Sequence, residues 1–483
     1  MVSATYPLSS GESTGRTDLV GVGHREGWVL ATIWFAAVGT LSVMRVWSLQ
    51  SGALDLGFMV HALAAVSRRG LTGEASWAGW SFLEDHFSPL VLPLAWPAAT
   101  RWGAYVLVVA QAMAVAVSIV VAAALIRRRV HDRGSRRLLL LAYAFAPPLL
   151  FSVYFDFHAS VVAVPFLLAF LLGIDANRPI LTVLGAAGTA LAREDMAVLV
   201  VLVVLANWRA LSRVRLPLLA FCGLCLFGWW ATKGGPGYAA DTFWGYLDLS
   251  DLSGSLRNAA TAAWAGGLLP RLLVVLSLPW LLWRMSWRHL APLFVLALAL
   301  VVANTTNTKL LGFHYWFFAP PLALGAVLQN WSPPRDRRRT LVGYGTVIAL
   351  AAGGPLVASF LAPSADSGIG VLSAAMWRGA EIRAVHDEIA CLPVDGSVAA
   401  DSRVIPLLAH MAEVYVLPHP FEPLVFIIGD QTVHIRDAAS IRPDFLLTSS
   451  DEVPSGYARV RASFWATPQA LPTVSPECLE ASS

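Results

Sequence analysis

Apolar runs separated by short polar breaks fill the first three quarters of the chain. They lie near Trp28–Met44, Gly103–Ile126, Leu138–Tyr154, Ser160–Ile174, Ile180–Leu191, Met196–Trp208, Leu216–Ala231, Leu268–Trp283, His289–Ala303, Tyr315–Leu328 and Leu341–Leu361. An α-helix needs roughly 20 mainly apolar residues to cross about 30 Å of hydrocarbon, so the pattern predicts about eleven transmembrane helices. A polar Ser/Gly/Thr-rich leader, Ser9 to Arg25, precedes the first run. It lacks the small-residue cleavage site of a secretory signal, and residues 1–27 read as a cytoplasmic tail. After Pro363 the long apolar runs stop and charges return. Trp377–Leu392 has helical spacing and ends at Pro393, and the short β-rich pieces Ser397–Ala400, Val414–Leu417, Phe445–Thr448 and Arg459–Ala462 follow. Alternating helix and strand signals predict a small α/β domain over residues 363–483, after a helical bundle over residues 28–362.

Composition strengthens the membrane assignment. The 483 residues are 57% apolar and only 13% charged, with a mean hydropathy of +0.62. A soluble domain carries about 25% charged residues, so the fold class is an α-helical polytopic membrane protein. Nucleic-acid binding and disorder are excluded on the same grounds. Arginine placement orients the bundle. Arg127, Arg128, Arg129, Arg133, Arg136 and Arg137 mark one loop as cytoplasmic; Arg209, Arg213 and Arg215 mark a second, Arg284 and Arg288 a third, and Arg335, Arg337, Arg338 and Arg339 a fourth. With eleven spans all four fall on the side of the N-terminus, which places the α/β domain outside the cell membrane. Cys391 and Cys478 then occupy an oxidising space, where pairing is open to them. Cys222 and Cys225 read as buried thiols within a span.

Ionisable groups near membrane depth are costly and mark functional sites by default. The first outer loop opens with Leu54-Asp55-Leu56-Gly57-Phe58, a carboxylate beside a glycine that permits close approach, and continues through an amphipathic stretch, Phe58–Val66, suited to the membrane surface. Asp55 reads equally as a catalytic acid or as a helix N-cap. Farther on, Glu84-Asp85-His86 sets two acids beside an imidazole, and Glu84 and Asp85 are candidate ligands for a divalent cation. Asp156 and His158 belong to the second outer loop, Tyr154-Phe155-Asp156-Phe157-His158, at the outer rim, where the acid also reads as a cap for a helix starting near Ala159. Arg193-Glu194-Asp195 breaks otherwise continuous apolar sequence and faces a cavity, a partner or the outer surface, with an Arg–Glu pair closing the turn as the plainer reading. Lys309, His314 and Tyr315 follow an Asn/Thr run and suit an anion and hydroxyls, or form a polar loop with an aromatic belt. No nucleotide-binding glycine loop, metalloprotease helix or Gly-x-Ser-x-Gly turn occurs, so no nucleotide cofactor is expected.

As an ordered set, the first-loop Asp55, the Glu84–Pro89 run, Phe155-Asp156-Phe157-His158, Glu194-Asp195 and the late His314-Tyr315 resemble a bacterial multi-pass family of unknown function. The segments Gly396–Ser402 and Val414–Pro418 resemble that family's ending. The architecture is similar to the GT-C glycosyltransferases. That resemblance implies a membrane enzyme that moves a sugar from a polyprenyl-phosphate donor to an extracytoplasmic hydroxyl, with a divalent metal often nearby. Carried over by position, Asp55 matches the first-loop acid, and Asp156 or Glu194 with Asp195 the second acidic site; the Asp-Phe-His order departs from the superfamily's paired acids. In the sugar-transfer reading the catalytic set is Asp55, His86, Asp156, His158, Glu194 and Asp195, and Arg193, Lys309, His314 and Tyr315 contact substrate. The expected partners are the lipid-linked sugar and membrane lipid, with no nucleic acid. The alternative is a transporter or flippase for a lipid-linked or anionic envelope precursor, which would use the same charges as a pathway.

Overall fold

A computed structural model describes residues 23–154, 156–232, 317–329, 379–393, 395–428, 431–437, 441–448 and 453–480, with isolated positions between 288 and 296 and at 331 and 450. The expected spans Leu268–Trp283 and Leu341–Leu361, most of His289–Ala303, and Lys309, His314 and Tyr315 lie outside the described residues.

Among the described residues three helices are long and apolar enough to cross a membrane: Arg25–Trp47, Gly103–Arg129 and Arg215–Thr232. The first is continuous through a π-turn at Phe35–Gly39. A fourth candidate is a pair bent by 41°, Arg133–Ala144 and Pro148–Tyr154. The expected single span Leu138–Tyr154 breaks there because Pro147 and Pro148 supply no N–H to the preceding turn. Three further expected spans are helices of fewer than 18 residues. Ala159–Asp175 has 17, opening with a 3-10 turn, whereas Pro179–Ala190 and Glu194–Ala206 have 12 and 13, about 18–20 Å at 1.5 Å per residue. The described part of the expected Tyr315–Leu328 span is the 11-residue helix Ala319–Gln329.

The short helices make a tight hairpin. A Cβ on Gly185 would lie 2.3 Å from the Phe170 amide nitrogen, and one on Gly173 would lie 2.5 Å from that of Thr182. Glycine lets these backbones touch, as small residues do in membrane helix packing. The hairpin ends at Leu191, whose carbonyl accepts from the Leu90 N–H at 2.9 Å. That bond draws the first outer loop onto the Arg193-Glu194-Asp195 tip.

The C-terminal region is an α/β domain. Strands β1 (Ser397–Ala400), β2 (Glu413–Val416), β5 (Phe445–Leu447), β6 (Ala458–Arg459) and β7 (Phe464–Ala466) form one sheet in the order β2-β1-β5-β7-β6, and β3 (Leu424–Ile428) pairs with β4 (Gln431–Arg436) as a separate hairpin. β1 runs parallel to β2 and β5, whereas β7 is antiparallel to β5 and β6. A disulfide joins Cys391 to Cys478.

The domain does not stand apart. It shares one apolar core with the first outer loop, including Leu56, Phe58, Leu63, Trp77, Ile405, Leu408 and Val414. The stretch Phe58–Ala65 is buried throughout, so it is an internal helix, not the membrane-surface helix that its amphipathicity suggests. Polar contacts complete the joint. His61 Nδ1 lies 2.9 Å from the Ala409 carbonyl, which requires Nδ1–H to donate, and Nε2 accepts from the Ser76 N–H at 3.1 Å. Ser76 Oγ donates to the Val414 carbonyl at 2.8 Å and accepts from its N–H at 2.9 Å, capping edge strand β2. Arg68 donates to the carbonyls of His410 and Met411, and His386 Nε2 meets the Trp47 carbonyl while its ring stacks on that indole.

Two predictions follow from this packing. The disulfide closes a separation of 87 residues; chain-entropy reasoning gives it about 4 kcal/mol. Replacing Cys391 and Cys478 by Ser should lower the midpoint of thermal unfolding of the α/β domain, and a midpoint indifferent to both substitution and reductant would contradict the assignment. Burial pulls the His61 imidazole down to about 4, with Arg68, Arg69 and His410 pushing the same way and the Ala409 hydrogen bond opposing. The released imidazole binds its proton nearer 6.5, so docking is at full strength above that pH and is lost as pH falls toward 4. Burial likewise lowers His410 and adds to the slope. Thermal unfolding of detergent-solubilised protein across this window should show the loss, and His61→Gln should flatten it.

Candidate functional site

The Asp55 turn is built from backbone strain-free but unusual geometry. Ala53–Gly57 forms a π-turn that runs directly into the buried Phe58–Arg69 helix. Asp55 makes no cap hydrogen bond there. Its Oδ1 lies 3.4 Å from His158 Nε2, and its side chain is 36% exposed against 7% for His158. The imidazole is held from behind, where Nδ1 meets the Asp156 carbonyl at 2.9 Å, and the His158 backbone N–H donates to Gln111 Oε1 at 2.6 Å.

Asp156 is buried beside this pair. Oδ1 accepts from Arg45 Nε at 3.3 Å and Oδ2 accepts from the Gly52 N–H at 3.1 Å. Gln111 Nε2 donates to the Asp156 and Ser152 carbonyls at 3.2 and 2.9 Å. The helix that follows is entered by His158 with no side-chain cap, so Asp156 acts as an ion-pair partner and not as a helix cap.

A second imidazole–carboxylate pair forms where the first loop meets the hairpin tip. His86 Nδ1 is 2.8 Å from Glu194 Oε1, and Glu194 Oε2 accepts from the Phe87 N–H at 3.0 Å. His86 Nε2 is 4.0 Å from Asp85 Oδ2. Arg193 turns away from Glu194 and grips Asp195 with both Nε and a terminal nitrogen. The Arg–Glu closure of the turn is therefore replaced by an Arg–Asp pair, which leaves Glu194 for the imidazole.

The two pairs belong to one electrostatic cluster. Burial raises the Asp85 carboxyl above its ordinary range; His86 opposes the rise, Glu194 adds to it, Arg193 opposes it, and Asp55 adds to it in turn. Burial pulls His86 down, but Glu194 and Asp85 outweigh it and hold the imidazole above its ordinary range. Asp55 and the Asp85–His86–Glu194 group thus feel each other's charge.

Glu84 has another task. Its side chain accepts from the Ser81 N–H at 2.5 Å and forms a capping box on the short helix Phe82–Asp85. Among the described residues no group of three or more His, Cys, Asp or Glu is arranged to hold a metal ion.

Residues 45–232 match the family model of a predicted membrane protein (DUF2079). That stretch includes Arg45, Asp55, His86, Gln111, Asp156, His158, Glu194 and Asp195; the α/β domain lies beyond it. Neither the curated proteins nor the solved structures contain a match to the chain.

Arg45, Gln111 and Ser402 escaped the sequence reading. The first two carry a usable signal, since each is a polar residue in or at the end of an apolar run. Ser402 carries none, because its role comes from a contact with Ala53 across 349 positions.

The His86 environment yields a prediction. With Glu194→Gln the main charge that opposes burial disappears, so His86 should titrate at lower pH. Modification of His86 by diethyl pyrocarbonate, which takes neutral imidazole, should then begin at a lower pH than in the unaltered protein. Identical profiles would remove Glu194 as the controlling partner.

Proposed function

We propose that the protein is a membrane glycosyltransferase of GT-C type, transferring a sugar from a polyprenyl-phosphate donor to an extracytoplasmic hydroxyl. The observation that carries this reading is the half-exposed Asp55 carboxylate, held by His158 and sharing its electrostatic environment with the His86–Glu194 pair.

Asp156 and Glu194 have both oxygens engaged by basic or N–H groups, and Asp195 has both engaged by Arg193. Asp55 keeps an oxygen for substrate. In the proposed step the acceptor oxygen attacks the anomeric carbon, its proton passes to Asp55, and the bond from that carbon to the phosphate oxygen breaks. Polyprenyl phosphate leaves with the electron pair. His86, held above its ordinary range by carboxylates, offsets charge that grows on the departing phosphate. A lipid-linked donor keeps its tail in the bilayer, which suits a site at helix ends.

The proposed topology has about eleven spans, the N-terminus inside and the α/β domain outside. Two features support it. The Cys391–Cys478 bond suits an oxidising space. Within the helix Gly103–Arg129, Gln111 serves the site, while Arg128 and Arg129 bind Asp175, about 25 Å farther along at 1.5 Å per residue. The basic cluster and the site thus lie toward opposite ends.

The short helices Pro179–Ala190 and Glu194–Ala206 favour a second reading, since transporters build sites from helices that stop within the bilayer. Purified protein supplied with labelled sugar on polyprenyl phosphate, with and without divalent cation, separates the two. Transfer to an acceptor is expected, and Asp55→Asn should reduce it at least 100-fold while insertion stays normal. Substrate movement across vesicles without transfer would favour the transporter.

A further inference from the structure

The turn that carries Asp55 is clamped from two sides. On the bundle side the Gly52 N–H donates to Asp156 Oδ2 at 3.1 Å. On the other side the next amide, that of Ala53, donates to Ser402 Oγ at 3.1 Å. Ser402 belongs to the α/β domain and directly follows the carboxyl end of β1. Its loop is fastened at both flanks: Asp401 N–H donates to the Leu447 carbonyl at 3.1 Å, Thr448 Oγ1 donates to Asp401 Oδ1 at 3.2 Å, and the Leu417 N–H donates to the Ala400 carbonyl at 2.9 Å. The loop is therefore a rigid platform in the notch where the parallel strands β1, β2 and β5 end. The same platform presses on the far end of the turn. A Cβ added to Gly57 would lie 2.9 Å from Ile405 Cγ2, a branched carbon that cannot swing aside.

A π-turn has poorer hydrogen-bond geometry than an α-helix and marks places where outside contacts decide the backbone path. Here the outside contacts come from a domain about 350 residues later in sequence. We propose that Ser402 is a positioning residue for Asp55, and that the α/β domain is an integral half of the site whose docking sets where the Asp55 carboxylate points. Ser402 touches no reacting atom in this scheme; it acts through the Ala53 amide. The kinetic consequence rests on the sugar-transfer reading, whereas the structural consequence does not.

The test uses the full chain in nanodiscs and two readouts. Hydrogen exchange of the peptide spanning residues 50–57 reports the clamp itself. Ser402→Ala should speed exchange at Ala53 about tenfold, and Ser402→Thr, which keeps the hydroxyl, should restore the native rate. Transfer assays report the consequence: Ser402→Ala should lower kcat about tenfold with KM nearly unchanged, again with rescue by Thr. Gly57→Ala should mimic the loss by pushing the domain off the turn, and adding Ile405→Ala should partly reverse it. This pair keeps the inference testable if Ser402→Ala alone destabilises the protein. Unchanged exchange in Ser402→Ala, or equal damage by Ala and Thr, would overturn the proposal. Absence of transfer by the unaltered protein would instead defeat the enzyme reading and leave the exchange result to decide the positioning role.

Discussion

Asp156 is the constraint on which the site depends. Its carboxylate is buried between the Arg45 guanidinium and the Gly52 amide, and its carbonyl receives Gln111 and faces His158. One residue therefore joins the end of the first long helix, the N-terminal third of the Gly103–Arg129 helix and the Tyr154–His158 loop. A buried ion pair need not stabilise a fold relative to an apolar alternative, but losing one member leaves the other uncompensated at about 3–5 kcal/mol. Arg45 also lies over the Tyr154 ring, 5.5 Å from its centroid. The arrangement reads as a device for holding geometry: it places an amide and an imidazole on opposite sides of the Asp55 turn.

The docking of the α/β domain follows from the same local economy of polar groups. Edge strand β2 would expose unpaired amides if the domain stood alone. Ser76 and His61 from the first outer loop satisfy part of that edge, and apolar residues on both partners fill the space behind. The loop helix Phe58–Arg69 is covered on every side over its first two turns. It could not be released to lie on a membrane without exposing that core and stranding His61. Loop and domain accordingly form one body, and the boundary at residue 363 that composition suggests divides the sequence more sharply than it divides the packing.

Much of this was legible in the sequence, and the gaps have physical causes. Apolar runs marked the helices Arg25–Trp47, Gly103–Arg129 and Arg215–Thr232 because length and composition suffice for a span. The runs Ser160–Ile174 and Ile180–Leu191 match the helices Ala159–Asp175 and Pro179–Ala190 within a residue at each end, and there the apolar residues line a tight hairpin and not only lipid. The strands β1, β2 and β5 fall at their predicted positions or one residue away, since buried strands show as short apolar pieces between turns; the fourth predicted piece, Arg459–Ala462, meets β6 only at Arg459, and β3, β4 and β7 were not anticipated. Among candidate site residues, Asp55 meets His158 and His86 meets Glu194. Their cross-pairing did not show, because Asp55 and His158 lie on different loops and a one-dimensional pattern pairs each acid with its nearest neighbour. Hence Arg193 was matched with Glu194 in sequence, although a side chain one position away points off the helix axis and Asp195 offers the better fork.

The charges of the cluster divide by how much of each carboxylate is already committed. Asp156, Glu194 and Asp195 each have both oxygens satisfied, so adding substrate to them would break existing bonds before making new ones. Asp55 and Asp85 are engaged on one side only, by His158 and His86. Their environments differ. Asp85 is the more enclosed and burial raises it, which favours the protonated carboxyl. Asp55 is open to solvent through about a third of its side chain. Two carboxylates with unequal environments are the usual means of separating an acid from a base at one pH. On that argument the proposed transfer assigns proton removal to Asp55 and leaves Asp85, beside His86, as the group suited to donate a hydrogen bond toward the departing phosphate. Glu194 then serves by holding His86 through its carboxylate, and Asp156 by holding His158 through its carbonyl.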